Sequence, residues 1–395
     1  MNAQFEAGSA CRMYDIAIIG GGPVGAALAL AIKDGGLKVC LLEARPHNAA
    51  SSDARALALS YGSRLLLERL GVWCGMQDVS PISTIHVSQK QSFGRTLLRA
   101  SDMNVPELGY VLPYPQLQDT LSSALNAAAI DTIYGASVLH LSAESDHALI
   151  GYSLNGEEHS LKARLAVVAD GGRLLAESHP PKFTDYHQCA LITHVTCAHA
   201  KSGTAFERFT SNGPVALLPY MDGYELVWTA SPERAEQMMA WDEATFLEEL
   251  HAHFGDRVGE FLSAGVRTVF PLGLKRAPEL TPMPHTVLLG NAAQTMHPVA
   301  GQGFNMGLRD AWELAQEVLD AAPENLGSAA MLGGYRRSRR IDRESGIRFT
   351  DGLVRLFSND MPLLSAARAA SLTALDCMPF AKRFVARRMM FGANG

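Results

Sequence analysis

Charged residues are absent between positions 16 and 32, and the hydrophobic pattern inside and around this run changes period twice. Residues 14–19 read Tyr-Asp-Ile-Ala-Ile-Ile, a mostly apolar run of the kind found in strands buried on both faces. Gly20-Gly21-Gly22-Pro23-Val24-Gly25 interrupts it, and residues 26–33 are then rich in good helix formers, with Gly35-Gly36 as the stop signal. A second apolar strand over 37–42 ends in Glu43. The uncharged stretch is nearly long enough to invite a membrane-span or signal-sequence reading. Gly-Gly-Gly-Pro would break such a helix, and Asp15 stands where a signal peptide carries basic residues.

Downstream, the pattern predicts a helix over 53–70 closed by Gly71, short alternating strands over 84–99, a helix over 116–129, and a buried strand over 161–169 leading into Asp170-Gly171. A strand-rich block follows over 186–270, with strands expected at 190–196, 205–210, 215–220 and 224–229 and a helix at 242–254. Residues 286–289 read as a strand that delivers Gly290-Asn291-Ala292-Ala293. After Gly301-Gln302-Gly303, a long helix from Phe304 carries Met306, Trp312, Leu314, Val318 and Leu319 on its apolar side.

Strand, glycine turn, helix, strand and acid are the parts of a dinucleotide-binding unit. Gly20 suits the tight turn, Gly22 lets the backbone approach a pyrophosphate, Gly25 lets the helix pack closely on the strand, and Glu43 lies where a ribose-binding carboxylate would. Pro23 suits the first helical turn, which needs no N–H donor there. The helix starting near Phe304 would point its N-terminus, with free N–H groups and the positive dipole end, at a group that gathers negative charge.

Composition agrees with a large enzyme: 395 residues, 47% hydrophobic and 19% charged, are enough for two domains with their own cores. The net charge of −6 argues against a nucleic-acid partner. The six cysteines (Cys11, Cys40, Cys74, Cys189, Cys197, Cys377) form no CxxC pair and no metal spacing, which fits a reduced cytoplasmic protein. The first 13 residues read as a loose tail.

Three motifs in this order, Gly20 to Gly25, Ala169-Asp170-Gly171, and Gly290-Asn291-Ala292-Ala293 running into Gly301-Gln302-Gly303-Phe304-Asn305, resemble the FAD-dependent aromatic hydroxylases. Ala205-Phe206-Glu207-Arg208-Phe209-Thr210, Gly213 to Pro219 and Gln294 to Ala300 narrow the likeness to the ubiquinone-biosynthesis branch, the octaprenyl-methoxyphenol hydroxylases in particular. The resemblance runs from Asp15 to about Phe357. It implies an α/β fold: a FAD-binding domain of the glutathione-reductase type, Rossmann-like and three-layered, with a β-rich substrate domain and a helical C-terminal extension. The expected divisions are 14–80, 109–185 and 276–345 for the FAD domain, 81–108 and 186–275 for the substrate domain, and 346–395 for the extension.

The activity so implied is hydroxylation of the ring of a polyprenylated phenol. NADPH or NADH visits transiently and reduces FAD, O2 is the co-substrate, and a flavin hydroperoxide transfers the oxygen. The FAD contacts it implies are Gly20, Gly22, Gly25, Glu43, Arg55, Gln116, Asp170, Asn291, Gly301, Gln302, Gly303, Phe304 and Asn305, with His297, Pro298 and Gly303 at the reacting face. Asn291 replaces the family's Asp, keeping the hydrogen bond to a ribityl hydroxyl without the charge. A second departure follows Asp170-Gly171, where Gly172-Arg173-Leu174 and then Glu177 stand in place of the usual Ser and Arg, so nicotinamide contacts are not carried over. No second GxGxxG and no CxxxxC pair occur, which excludes the disulfide-reductase and thiol branches of the flavoproteins. The alternatives are a hydroxylase of a small soluble phenol, or a prenyl-lipid binding protein on the same fold without catalysis. Flavin colour separates the last from the others.

Single residues carry two readings each. His297 could relay the phenol proton if its pKa lies near neutrality, or be a hydrogen-bonded structural histidine. Glu207 and Arg208 alternate on a strand, so at most one faces a pocket, and Glu207 reads as the solvated charge. Arg55 is a flavin contact or half of a surface salt bridge. The C-terminal segment from Met378 to Phe391 mixes large apolar residues with Lys382, Arg383, Arg387 and Arg388. It either lies on an anionic membrane or packs as a helix on the enzyme or on a second subunit. With a polyprenyl substrate, the first choice implies peripheral attachment at the cytoplasmic face of the inner membrane, near other ubiquinone-pathway enzymes.

Overall fold

The computed structural model describes residues 12–47, 49, 53, 55–357 and 362–393. Its first sheet is built on Arg12–Ile19, whose Ile16, Ala17 and Ile18 have no solvent exposure. This strand pairs in parallel with Val39–Glu43 on one side and Glu157–Val168 on the other, with Ile16 opposite both Val39 and Leu165. Asp131–Tyr134 and Thr286–Leu288 extend the parallel part, and Ala148–Leu154 and Ser137–Ala143 form an antiparallel flank. Central strands covered on both faces need apolar side chains on both, which is why residues 16–19 do not alternate. The helix Pro23–Ala31 is buried from Ala26 to Leu30 and packs between the helices Tyr114–Ala127 and Gln302–Asp320. The loose-tail expectation concerns residues mostly outside those described; Arg12 and Met13 already belong to the first strand.

The helix expected over 53–70 is corrected by the structure. Ala56–Ser60 is a strand, paired antiparallel with Gly109–Pro113, and the helix is only Tyr61–Arg69. Alanine and leucine favour helix locally, but pairing with a neighbouring strand outweighs a few tenths of a kcal/mol of propensity (~0.2–0.7 per residue). The true start is marked by Ser60, whose side chain accepts from the Ser63 N–H.

The second sheet runs Gln294–Thr295, Thr268–Arg276, Lys182–Cys197, Gly223–Ala230, Gly213–Tyr220, Thr204–Thr210, Thr84–Gln89, Arg95–Arg99, with Phe261–Ala264 beside Lys182–Cys197. One face is covered by the helices Pro232–Ala240 and Glu243–Phe254, giving a core that includes Leu191, Phe206, Leu217, Trp228 and Phe246. The first of these helices had no counterpart in the sequence reading; Ser231 caps it and Pro232 opens it. The opposite face looks toward the glycine loops and the C-terminal helices. Those helices are Ala329–Phe357, Pro362–Cys377 and Pro379–Phe391, so the boundary expected at 346 falls inside one continuous helix of 29 residues.

Candidate active site

The glycine turns and the start of the Gln302–Asp320 helix surround a cavity of about 1,130 Å³. Gly20, Gly22, Glu43, Asp170, Asn291, Gly303 and Phe304 all line it, joined by Arg45 and Tyr114, which the sequence reading did not single out. Bare backbone makes the room. A Cβ on Gly22 or Gly303 would meet nothing within 4 Å, so both positions present open backbone to this space. Gly20 and Gly25 are glycines for a different reason. Gly20 turns at φ +109°, and a Cβ on Gly25 would lie 2.1 Å from the Gly20 carbonyl oxygen. Neither of the first two needs a left-handed conformation: Gly22 sits at φ −64°.

Two carboxylates shape the cavity wall. Glu43 accepts from the Gly21 N–H at 2.7 Å and from the Arg45 N–H and Nε at 2.8 and 2.9 Å. Burial would raise its pKa, but the Arg45 hydrogen bonds and charge and the Gly21 N–H outweigh it and hold the carboxyl below its usual range. Asp170 accepts from the N–H groups of Gly172, Arg173 and Leu174 at 2.8, 3.1 and 2.6 Å, which locks the turn after the Glu157–Val168 strand. The residue sequence following Asp170 departs from the family pattern, yet the aspartate still orders it. Gln118, two residues after the expected Gln116, donates to the Gly21 carbonyl at 3.0 Å. Gln116 is outside the cavity lining and its Oε1 is buried without a hydrogen bond among the described residues. Arg55 is outside it too: its Nε donates to Asp53 at 2.7 Å and its guanidinium lies 4.8 Å over Phe270. A bare-backbone cradle at one helix N-terminus, a ribose-type carboxylate and a second helix N-terminus are the donor set of a dinucleotide, so the residues present fit FAD.

On the other side of the same loop lies a second cavity, about 270 Å³, lined by His297, Pro298, Gly301, Gln302 and Asn305 and by the free face of the second sheet. The C-terminal helices close it with Leu353, Leu372, Leu375, Val385, Ala386, Met389 and Met390. Asn305 spends its whole side chain on the protein: Oδ1 accepts from the Ser60 N–H and Ser63 Oγ, and Nδ2 donates to the carbonyls of Ala58 and Gly301. Its expected cofactor contact therefore gives way to a positioning role, fastening Gly301, at φ +60°, to the Ala56–Ser60 strand. Gln302 donates to the Met389 carbonyl at 3.3 Å and so ties the loop to the C-terminal helix.

His297 is only 1% exposed. Its Nδ1 accepts from the Val299 N–H at 3.1 Å and its Nε2 is buried with no hydrogen bond among the described residues. Burial pushes its pKa down to about 4, so the ring is neutral at physiological pH and the near-neutral pKa that a proton relay requires is not met. The alternation at 207 and 208 also resolves against expectation. Arg208 points under the helices, 8% exposed, donating to Ser88 Oγ. Glu207, expected to be solvated, lies in the lining of the second cavity. The helices that cover the Arg208 face left the cavity as the only place for Glu207.

The chain matches the FAD binding domain family over residues 13–348. It is 33% identical to the 3-demethoxyubiquinol 3-hydroxylase of Escherichia coli, covering 93% of this chain and 96% of that one. It is 32% identical to a ubiquinone hydroxylase of Rhodospirillum rubrum, over 97% of this chain and 91% of that one. Among solved structures, p-nitrophenol 4-monooxygenase from Pseudomonas putida superposes with a TM-score of 0.78 over 97% of this chain and 99% of that one, at 17% identity, a likeness of fold. With cradle, loop and relatives in agreement, the chain belongs to the FAD-dependent hydroxylases carrying this FAD binding domain, the family of the ubiquinone hydroxylases.

Proposed function

We propose that this enzyme hydroxylates the aromatic ring of a polyprenylated phenol in ubiquinone biosynthesis, at the surface of a membrane. The observation that carries the substrate class is the second cavity. Its volume, about 270 Å³, is at the small end for organic ligands (roughly 300–1,000 Å³), enough for an aromatic head and the start of a tail. Its walls are aliphatic and aromatic except for a few polar groups, and its far end is made by the C-terminal helices, whose outer face carries exposed Phe380 and Phe384. A long tail must continue outside, and those helices are where an apolar tail finds apolar surface.

Gly20 and Gly22, with Glu43, would hold the pyrophosphate and ribose of FAD; Asn291, Gly303 and Phe304 would hold the part nearest the reacting ring. When bound, FAD accepts hydride from NADPH or NADH and delivers one atom of O2 to the substrate. The protein orients and encloses. The N-terminus of the Gln302–Asp320 helix offers free N–H groups where negative charge collects, and Gly301 at φ +60° lets the loop turn into that helix. The apolar walls keep water from the reacting face, and the neutral His297 adds no charge there.

The test is turnover of FAD-loaded protein with reduced nicotinamide and ¹⁸O2, offering phenols with and without a prenyl tail. One labelled oxygen per nicotinamide consumed is expected with the prenylated phenol. Its kcat/KM should exceed that of the tail-less phenol at least ~10-fold, since burying two CH2 groups at ~0.8 kcal/mol each already supplies that. Equal efficiency for the two phenols would move the assignment to a small soluble phenol.

A further inference from the structure

The free face of the second sheet is apolar where it lines the small cavity: Ile85, Val87, Leu98, Ala205, Phe209, Ala216, Leu218 and Val227, with Thr96 and Thr229 as neutral polar side chains of the sheet there. Glu207 stands among them. Its register partners are Val87 on one side and Ala216 on the other, and neither can hydrogen-bond a carboxyl through its side chain. Among the described residues no hydrogen bond or ion pair engages the carboxyl, although buried Glu225, two strands away across Gly213–Tyr220, is held by the Ala56 N–H at 3.3 Å. Among the described residues that line the cavity no other charged side chain stands beside it, and the other titratable group there, His297, is neutral.

Glu207 is half-buried against the cavity, and holding a carboxyl unpaired among apolar walls costs stability unless the site uses it. The cavity offers one use. Pro298, Gly301 and Gln302 of the flavin loop line it together with Glu207, so an aromatic ring lying against the loop leaves its substituents within reach of the sheet. Resting on the reading that the substrate is a phenol, we infer that Glu207 is a catalytic residue whose carboxylate accepts the proton of the phenol hydroxyl as the ring is attacked. The O–H bond breaks, its electron pair flows into the ring, and the ring carbon uses the resulting nucleophilicity to bond the incoming oxygen, whose supply is the established reaction. The dienone so formed loses the proton from its tetrahedral carbon to water. The phenolic oxygen takes its proton back from Glu207, which ends the cycle as it began. Burial raises this carboxyl to about 7, where a base is most effective near neutral pH: weak enough to be released, strong enough to accept.

The experiment compares FAD-loaded wild type, Glu207→Gln and Glu207→Asp across pH 5.5–9 with a short-tailed prenylphenol, reading product formed per nicotinamide consumed. Flavin content and thermal midpoint serve as folding controls. Wild-type kcat/KM should rise through pH ~7 to a plateau, because the base must be ionised. Glu207→Gln should be ~10²-fold lower at the plateau, without that limb, and Glu207→Asp should restore the limb at reduced rate. Infrared difference spectra supply a readout independent of turnover: a protonated carboxyl band titrating near 7 in wild type, absent in Glu207→Gln, and perturbed when unsubstituted phenol binds. A Glu207→Gln enzyme within threefold of wild type with the same pH limb overturns the inference, as does a carboxyl band that ignores phenol. If wild type hydroxylates no prenylphenol, the substrate assignment fails, and the infrared response to phenol still decides for or against Glu207.

Discussion

At the scale of single residues, glycines of one motif do different work, and substitutions should separate them. Gly22→Val projects a side chain into the cavity from a backbone at φ −64°, which any residue adopts, so the fold should stand. FAD retention is expected to fall more than ~10-fold by the flavin-to-protein absorbance ratio, since a branched side chain displaces the close backbone approach a pyrophosphate needs. Gly25→Ala should do the reverse kind of damage. Its Cβ would sit 2.1 Å from the Gly20 carbonyl oxygen, and overpacking of this sort costs about 1–3 kcal/mol, read as a lower thermal midpoint in protein stripped of flavin. Unchanged flavin content in the first variant, or an unchanged midpoint in the second, would break this division of labour. Glu207 has a linkage signature of its own. A carboxyl whose folded pKa, about 7, exceeds its unfolded value stabilises fully below the unfolded pKa and loses that contribution as pH rises toward 7. Denaturant midpoints of wild type should therefore decline relative to Glu207→Gln between about pH 4.3 and 7, and a constant difference would contradict an unpaired carboxyl held among apolar walls. The glycines were legible in the sequence because spacing alone constrains them. Glu207 was not, because alternation says that residues 207 and 208 face opposite ways and nothing local says which face the helices at 232–254 will cover.

At the scale of elements, the helix Ala329–Phe357 is fastened to the Gln302–Asp320 helix by a buried ion network rather than by apolar contact alone. Arg339, 1% exposed, bonds Asp310 at 2.7 Å and Asp342 at 2.8 Å; Arg309 reaches Asp342 at 2.9 Å. Gln294, just after the Gly290-Asn291 motif, joins in by donating to Asp310 and accepting from Arg343. Arg339→Ala leaves two carboxylates without their central cation and should cost about 3–5 kcal/mol in a denaturation midpoint; a loss under about 1 kcal/mol would mean the network is solvated. Burial would raise the Asp342 pKa, but Arg309 and Arg339 outweigh it and lower it. Its contribution is therefore complete above the unfolded value, about 3.9, and disappears only as pH falls through the still lower folded value. Strands and helices with strong periods were readable in advance, as at 14–19, 84–99, 224–229 and 242–254. The segment 56–60 was not, since its alanines and leucines satisfy either period and only the partner strand at 109–113 decides.

At the scale of the whole molecule, the C-terminal helix Pro379–Phe391 packs on the enzyme along one face and leaves large apolar side chains exposed on the other. Its inner face closes the second cavity with Val385, Ala386, Met389 and Met390, and the Met390 carbonyl accepts from Ser60 Oγ. Lys382 is buried as well, 3.4 Å from Asp376, and Arg388 donates to Ser345, which leaves Arg383 and Arg387 as the exposed cations. Its outer face shows Phe380 at 82% and Phe384 at 62% exposure, four residues apart, beside Met378 at 54%. No helix among the described residues is long and apolar enough to cross a membrane, so the membrane contact proposed above rests on such a surface. Deleting the segment would open the cavity and cut the Gln302–Met389 tie, so it cannot report on membrane binding alone. Phe380→Ser with Phe384→Ser changes only the outer face. Each phenylalanine moved from water into an interface contributes up to ~1.5–3 kcal/mol, so the double variant should bind anionic liposomes at least ~10-fold more weakly in sedimentation, with flavin content intact. Turnover of a long-tailed phenol presented in liposomes should fall with it, while turnover of a short-tailed phenol in solution should not. Liposome binding equal to wild type would place the membrane contact elsewhere on the molecule, and loss of short-tail turnover would show that the two faces of this helix are not independent.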